Sequence, residues 1–300
     1  MVVLFQKKVW RVKFKENIDH DSNIIAEAEQ PTARATYKET NIFKTELSGR
    51  YKFYLFKRIT TGPDLKLSHT YHTERHAPAI YQNDAYGINP VWETTLEHAF
   101  FKGKFATTSF EIDWNYQAKD NNMTHDLKYY GTTTSFGIGE KMPIFSFGDF
   151  NFKYKYKVFK SHIETSNTNT HSFSFDEGVQ LGSHIFLVLF SVDYLDANNE
   201  QNSTDTYTTR IDYISPELFP SLVSKLTSSA GFSVAFLDPK LQKPTRGIEK
   251  MVTPSVKLTK NFDPNIEITG KYEYTKNYSK DKTSYQYNKT VYGIEFNLTY

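Results

Sequence analysis

The last ten residues of the sequence read Val291-Tyr-Gly-Ile-Glu-Phe-Asn-Leu-Thr-Tyr300. Successive side chains of an extended strand point to opposite faces, so this stretch has one purely apolar face and one mixed face. The apolar face carries Tyr292, Ile294, Phe296, Leu298 and Tyr300. A strand of this kind needs apolar surroundings on one side, which a packed helix, a second sheet or lipid can provide.

The composition combines low hydropathy with many aromatic residues. Apolar residues make up 38% of the 300 positions, yet aromatics reach 16%, with 24 Phe and 21 Tyr, and the mean hydropathy is -0.58. A polar chain poor in aromatics would suggest disorder. Low hydropathy with abundant Phe and Tyr is instead typical of a membrane barrel that is polar inside and girdled by aromatics outside.

Several classes of protein are excluded or disfavoured. No apolar run approaches the ~20 residues that a membrane helix needs. The absence of cysteine excludes disulfides, thiol catalysis and Cys-based metal sites. A net charge of +2 does not predict a nucleic-acid partner. The apolar run at residues 1–5 is too short for a signal peptide, so we expect a mature exported chain in which residues 1–7 form a short N-terminal extension.

Period-two alternation of apolar and polar residues recurs along almost the whole chain. It begins with Trp10, Val12 and Phe14 and is clearest over residues 150–158, where aromatics alternate with Asn and Lys. We count about 14 strands of roughly 10 to 14 residues, an even number within the range of bacterial single-chain barrels. Short Gly- or Pro-marked turns are predicted near positions 61, 103, 143, 182, 218 and 263, with longer polar loops between them.

A soluble β-sandwich or barrel is the alternative explanation of this pattern. Such a domain must hold its large apolar residues inside, and about 14 strands with one apolar face each would leave no sufficient interior. Outward-facing apolar residues leave a cavity lined by Lys, Glu, Thr and Ser. The sequence therefore predicts an all-β fold: one closed antiparallel up-and-down transmembrane β-barrel over residues 1–300. Both termini should lie on the periplasmic side, and the last strand should pair with the first.

The polar register supplies the candidate site. Assigned to the lumen, it is basic in the first, second and seventh strands and acidic in the fourth and fifth. One interpretation is a transverse field or an anion-preferring ladder at residues 153–157. We favour the other, in which the nearly balanced charges pair across strands and keep the lumen wet. The candidate lumen-lining residues are Arg11, Lys13, Lys44, Arg50, Lys52, Glu93, Glu97, Glu111, Asp113, Lys153, Lys155 and Lys157.

One strand departs from the alternation. Ile185-Phe-Leu-Val-Leu-Phe190 is apolar on both faces. If its even-numbered residues face lipid, then Ile185, Leu187 and Leu189 face the lumen and need an apolar partner. They could pack on an inward-folded loop, hold an acyl chain, belong to a subunit contact, or form a local patch under a loop.

Motifs for catalysis or metal binding are weak. His69, His72 and His76 cluster, but on a strand His69 and His72 point to opposite faces, which disfavours zinc. Residues 19–23 resemble the first half of a calcium loop but lack its central Gly and distal Glu, so a solvated loop is expected. We predict no catalytic residues, no enzyme activity, no metal and no cofactor.

The alternating final strand ending on Tyr300 resembles the assembly signal of Gram-negative outer-membrane β-barrel proteins. That resemblance implies a bacterial outer-membrane location, contact with membrane lipid and recognition by the outer-membrane assembly machinery. Over its whole length the chain looks porin-like, which implies passage of, or contact with, small solutes.

Two further resemblances imply other functions. Residues 12–24 and the final hairpin resemble the barrels of surface lipoprotein assembly modifiers, which implies lipoprotein export. In general character the chain also resembles porin-like barrels of predatory bacteria whose oligomers enclose lipid, which implies a lipid-organising homo-oligomer without conductance. We expect a porin-like function and keep these two as alternatives.

Overall fold

A computed structural model describes residues 9–29, 35–98, 103–118, 126–144, 148–219 and 225–300. Fourteen antiparallel strands of 11 to 17 residues account for most of this chain. The extension expected at residues 1–7 lies outside the described residues. The strands are β1 (Val9–Asp21), β2 (Thr40–Phe56), β3 (Ile59–His72), β4 (Ala85–Glu97), β5 (Phe105–Gln117), β6 (Lys128–Ile144), β7 (Gly148–Ser161), β8 (Thr168–Leu181), β9 (His184–Ala197), β10 (Thr204–Ile214), β11 (Leu226–Pro239), β12 (Glu249–Asp263), β13 (Ile266–Tyr278) and β14 (Tyr287–Thr299).

Each strand pairs with its neighbours in sequence, and β14 pairs with β1 to close the barrel. Phe14 lies opposite Leu298 across this seam, and the backbones of Val12 and Tyr300 exchange two hydrogen bonds of 2.8 and 2.9 Å. The predicted closed up-and-down barrel, with its last strand paired to its first, is therefore confirmed. Both ends of the barrel domain lie at the same end of the barrel.

The alternation of the sequence is reproduced in the exposure of the strands. On β14, Tyr292 and Ile294 are 51% and 57% exposed, whereas Asn297 is 7% exposed. Large apolar side chains are accessible all around the barrel, and most of the buried residues of the described chain are polar. This is the reverse of a soluble β domain, in which the buried side chains are mainly apolar.

Connections at the end of the barrel that holds Val9 and Thr299 span residues 57–58, 98–104, 145–147, 182–183, 215–225 and 264–265. Connections at the opposite end, which we call the loop end, are mostly longer and span residues 22–39, 73–84, 118–127, 162–167, 198–203, 240–248 and 279–286. The turns predicted near 182 and 263 are confirmed. The connection near 218 is longer than five of the seven connections at the loop end, so the prediction of a short turn there is wrong.

Two predicted turn positions are also wrong. Gly62 and Pro63 lie inside β3, where they pair with Glu93 and Trp92 of β4, and the turn consists of residues 57–58. Pro143 likewise lies inside β6. Gly and Pro favour turns locally, but cross-strand pairing continues through both positions and decides the structure.

In the described part of the chain, the short helices lie within connections. They are α1 (Pro78–Tyr81), α2 (Lys243–Arg246) and two 3-10 turns, Glu164–Ser166 and Glu200–Asn202. Among the described residues, no helix has the length and apolarity to cross a membrane.

Candidate functional site

Strand register places the twelve charged residues singled out in the sequence on one face of the sheet. Directly paired residues of antiparallel strands face the same side. Arg11 is paired with Arg50, Glu111 with Ser135, and Ser135 with Lys157. The remaining members of the set share this register along their own strands. We call this side the polar face and the opposite side the apolar face.

Glu93 is the centre of one ion-pair cluster on the polar face. Its carboxylate accepts a 2.8 Å hydrogen bond from the Arg50 guanidinium and a second from the Lys52 ammonium. These partners lie on β2 and β4, so the contact crosses β3, where Gly62 is paired with Glu93. Side chains two strands apart meet in this way because the position between them is a glycine, and such contacts are favoured on the concave side of a closed sheet.

Two more clusters cross an intervening strand in the same manner. The Glu111 carboxylate on β5 accepts hydrogen bonds from Lys155 on β7 and, at 2.9 Å, from Asn89. The Asp19 carboxylate on β1 lies 2.8 Å from the Lys271 ammonium on β13. Gly293 of β14 is paired with both Asp19 and Lys271, so no side chain stands between them. The sequence does contain a signal for these contacts, namely a glycine at a polar-face position of the intervening strand. The alternation of charged residues alone does not reveal it.

Lys153 forms a longer ion pair, with its ammonium 3.8 Å from the Asp176 carboxylate. Among the described residues, the remaining members of the set are not joined to a charge of opposite sign. Within the described part of the chain, no ion pair of 4.0 Å or less includes the basic residues Arg11, Lys13, Lys44 and Lys157 or the acidic residues Glu97 and Asp113. The predicted segregation into basic and acidic strands is therefore partly neutralised, because Glu93 and Glu111 attract cations from the basic strands.

The two-sided apolar strand places three aliphatic side chains on the polar face. Ile185, Leu187 and Leu189 are paired with Gln180, Gly178 and Asp176 of β8. They line a pocket of about 970 Å³ together with Asn151 of β7 and Arg210 and Asp212 of β10. Arg210 and Asp212 are joined by two hydrogen bonds of 2.6 and 2.8 Å, so a charged rim borders the aliphatic strip.

A buried carboxylate organises the connection between β3 and β4. Asp84 is 4% exposed, and its Oδ1 accepts hydrogen bonds of 2.8 Å from the backbone N–H of His72 and from the His72 ring. Arg75 donates to the other carboxylate oxygen. Burial acts to raise the pKa of Asp84, but the hydrogen bonds from His72 and Arg75 outweigh it and hold the pKa below its ordinary value. Ile80 and Tyr81 of α1 are fully buried beside this cluster.

Histidine spacing gave no indication of this cluster. His69 and His72 are paired with Thr45 and Ile42 of β2, so they point to opposite faces. Within the described chain, no group of three His, Cys, Asp or Glu residues is arranged to hold a metal ion.

The segment that resembles half a calcium loop is also engaged internally. Asp19 and Asp21 are 3% and 2% exposed at the end of β1, where Lys271 and Lys289 neutralise them. Asn23 donates hydrogen bonds to the carbonyls of Glu27 and Asn288. The expectation of a solvated loop is wrong here, because these side chains tie the β1–β2 connection to the barrel.

No protein family and no curated protein matches the chain in sequence. Solved structures do match its fold. An anion-selective porin from Comamonas acidovorans aligns with a TM-score of 0.54 at 8% identity, over 98% of this chain and 99% of the porin. OmpT, an outer membrane protein of Vibrio cholerae in its trimer form, aligns with a TM-score of 0.53 at 9% identity, over 98% and 99%.

CdiB from Acinetobacter baumannii aligns with a TM-score of 0.51 at 10% identity, over 96% of this chain and 60% of CdiB. At sequence identities this low, the similarity to these structures shows the fold alone. The chain thus has the fold of Gram-negative outer-membrane β-barrels, as its sequence predicts.

Proposed function

We propose that this chain is a porin-like channel of the bacterial outer membrane, with the polar face lining a water-filled lumen and the apolar face contacting lipid. The observation that carries the proposal is the closed 14-stranded barrel whose polar face is bridged by ion pairs between alternate strands. We place the barrel end that holds Val9 and Thr299, where most connections are shorter, on the periplasmic side. Tyr300 and the alternating last strand are suited to recognition by the outer-membrane assembly machinery.

The direction of the two faces is argued from geometry. The Arg50–Glu93, Lys155–Glu111 and Lys271–Asp19 contacts each cross a strand, which favours the polar face as the concave side. On the opposite face, Trp10 and Tyr300 are 64% and 66% exposed. Lipid would cover these aromatics near one edge of the membrane, as in the aromatic girdles of known barrels.

The charge pattern suggests how the lumen works. Paired carboxylates would fix several lysines and arginines against the wall, while cations without an ion pair, such as Arg11, Lys13 and Lys157, would meet passing solutes. We therefore infer passage of small polar solutes, with transport rather than catalysis as the role of the barrel. The role that we propose does not require a cofactor.

Planar-bilayer recording of the folded, purified protein tests the proposal. We expect stepwise currents, and we expect Lys157→Glu to shift the reversal potential in a salt gradient towards cation preference. Lys160→Glu is the matched control, because Lys160 lies on the same strand but on the other face, paired with Thr132. A folded sample without current, or equal shifts from both variants, would refute the channel.

A second candidate function rests on Ile185, Leu187 and Leu189. Aliphatic side chains on the polar face beside a pocket of about 970 Å³ favour contact with an acyl chain, as in a lipid-organising barrel without conductance. Mass spectrometry of the intact protein in mild detergent would detect retained phospholipid. Retained lipid without current would favour this candidate over the channel. The lipoprotein-export alternative stays a prediction from resemblance.

A further inference from the structure

A row of three polar side chains crosses the apolar face at the barrel seam. Glu16 of β1 is paired with Thr45 of β2, and Thr45 is paired with His69 of β3. The Thr45 hydroxyl donates a 2.6 Å hydrogen bond to the Glu16 carboxylate. We call these three residues the outer row. Their neighbours two positions away on the same strands and the same face are all apolar: Phe14 and Ile18, Phe43 and Leu47, and Leu67 and Tyr71.

A carboxyl group in this position is unfavourable if only lipid surrounds it. Ionisable side chains within the membrane are costly and normally face a partner or a water-filled cavity. A carboxylate can accept about four hydrogen bonds, whereas Thr45 supplies one to Glu16. Among the residues that the structure describes, no cation lies within 4.0 Å of Glu16. The outer row therefore needs a partner from outside the barrel.

Two glycines open the apolar face on either side of the seam. Gly49 of β2 is paired with Val12, and Gly270 of β13 is paired with Ile294. A Cβ atom added at either glycine would meet nothing within 4 Å, whereas every other strand glycine of the described chain has an atom within that distance. Small residues of this kind let a second surface approach the backbone closely, as they do between membrane helices.

The arrangement of the outer row indicates which partner fits. The carboxyl group of Glu16 and the imidazole of exposed His69 lie on two strands that flank β2, roughly 10 Å apart. In a ring of identical subunits, one flank of each copy meets the opposite flank of the next. If the symmetry axis faces β2, Glu16 of one copy approaches His69 of its neighbour, so the outer row is complementary to itself.

We propose that the apolar faces of β13, β14, β1, β2 and β3, which we call the seam wall, form the interface between copies of this chain in a homo-oligomer. Contacts between Glu16 and His69 of adjacent copies and close packing over Gly49 and Gly270 hold the copies together. The inference rests on the membrane placement proposed above, but not on conductance.

Cysteine cross-linking tests the interface in the full chain, which contains no cysteine of its own. Leu47→Cys places a thiol on the seam wall, and Val188→Cys places one on the apolar face of β9; the two native side chains are 44% and 41% exposed. After oxidation in outer membranes, we expect a disulfide-linked pair from Leu47→Cys and monomer from Val188→Cys. Monomer from both variants, or equal linkage of both, would overturn the proposal.

Charge exchange gives an independent test on protein whose folding is first verified by its heat-dependent gel mobility. Glu16→Lys replaces the hydrogen-bond acceptor of one flank with a cation that cannot accept from the imidazole of the other, so the particle mass in mild detergent should fall to that of one chain. Adding His69→Glu places a carboxylate opposite the new ammonium and should restore the oligomer. A monomeric wild type, or a double variant that stays monomeric, contradicts the inference. An oligomer without current would refute the channel and leave the interface standing.

Discussion

Two walls of the barrel follow the same alternation but present different surfaces to their surroundings. On the apolar faces of β7, β8 and β9, which we call the aromatic wall, aromatic rings contact one another across strands. The ring centroids of Phe152 and Phe175 are 5.0 Å apart, and those of Tyr154 and Phe173 are 4.9 Å apart. The seam wall instead carries Glu16 with its hydroxyl partner and two glycines with open space above them. In the membrane placement and interface that we propose, the aromatic wall would contact lipid and the seam wall a second copy of the chain.

The polar faces of the same strands also differ between the two walls. Behind the seam wall, Lys15 lies 2.9 Å from Glu295, and Asp19 is paired with Lys271. Behind the aromatic wall, the aliphatic strip of β9 interrupts the polar lining. The two faces of the barrel are therefore not uniformly polar and apolar around its circumference. In the functions that we propose, each departure is a place where another molecule would contact the wall.

The largest effect is expected on the aromatic wall. Phe190 contacts Phe175 with ring centroids 6.3 Å apart, so Phe190→Arg would place a charge against lipid. We expect the free energy of unfolding in phospholipid vesicles to fall by about 2–4 kcal/mol. Ser191→Arg is the matched control, because the adjacent residue faces the polar side and should change stability by no more than about 0.5 kcal/mol. Equal losses at both positions would remove the distinction between the faces.

An intermediate effect is expected from glycines at the seam. A Cβ atom at Gly293 would lie 2.2 Å from the carbonyl oxygen of Ile18 and 2.3 Å from a carboxylate oxygen of Asp19. We expect Gly293→Ala to lower the free energy of unfolding by about 1–3 kcal/mol, because the backbone of β1 must shift.

Gly270→Ala is the control for this prediction, since its Cβ would meet nothing within 4 Å. In monomeric protein it should be neutral within about 0.5 kcal/mol. Denaturant titration of both variants checks the difference. A neutral Gly293→Ala would mean that the ion pair across β14 does not need an empty position between its partners.

The barrel could be predicted from the sequence because period-two alternation is a local pattern. It does not depend on how the strands are arranged in space. Residues 150–158 and 291–300 each fix their own apolar face, and so many one-sided strands leave too little interior for a soluble domain, which indicates a membrane barrel. The even strand count then places both ends of the barrel on the same side. Turn positions near 61 and 143 could not be predicted in the same way. Gly62 and Pro143 have the local preferences of turns, but pairing with the neighbouring strand decides their conformation.

Side-chain contacts between distant residues could not be predicted from the sequence, for a different physical reason. Alternation places Arg50, Glu93 and Lys155 on the polar face. Which opposite charges then form an ion pair depends on whether the strand between them carries a glycine. The Asp84 cluster depends on a connection that folds back on itself. Neither the His72 contact nor the burial of Tyr81 has a periodic signal in the sequence.

The smallest effect is expected at the loop end, where the two walls also differ. The aromatic wall ends in connections of residues 162–167 and 198–203, each containing a single 3-10 turn. The seam wall ends in the longer connections 22–39 and 73–84, the second of which is held by buried Asp84. Because hydrogen bonds from His72 and Arg75 lower the pKa of Asp84 below its ordinary value of 3.8, its ionised form is the one that stabilises the connection.

This stabilisation is fully present above the ordinary pKa of Asp84 and is lost as the pH falls through the lowered pKa of the folded state. Hydrogen exchange, corrected for intrinsic rates, should therefore show reduced protection over residues 73–84 in acid. Protection over 162–167 should not change. Asp84→Asn should reproduce the loss at neutral pH and abolish its pH dependence, because the amide keeps the shape of the carboxylate without its charge. Protection over residues 73–84 that stays constant into acid would assign the connection's stability to the packing of Ile80 and Tyr81 instead.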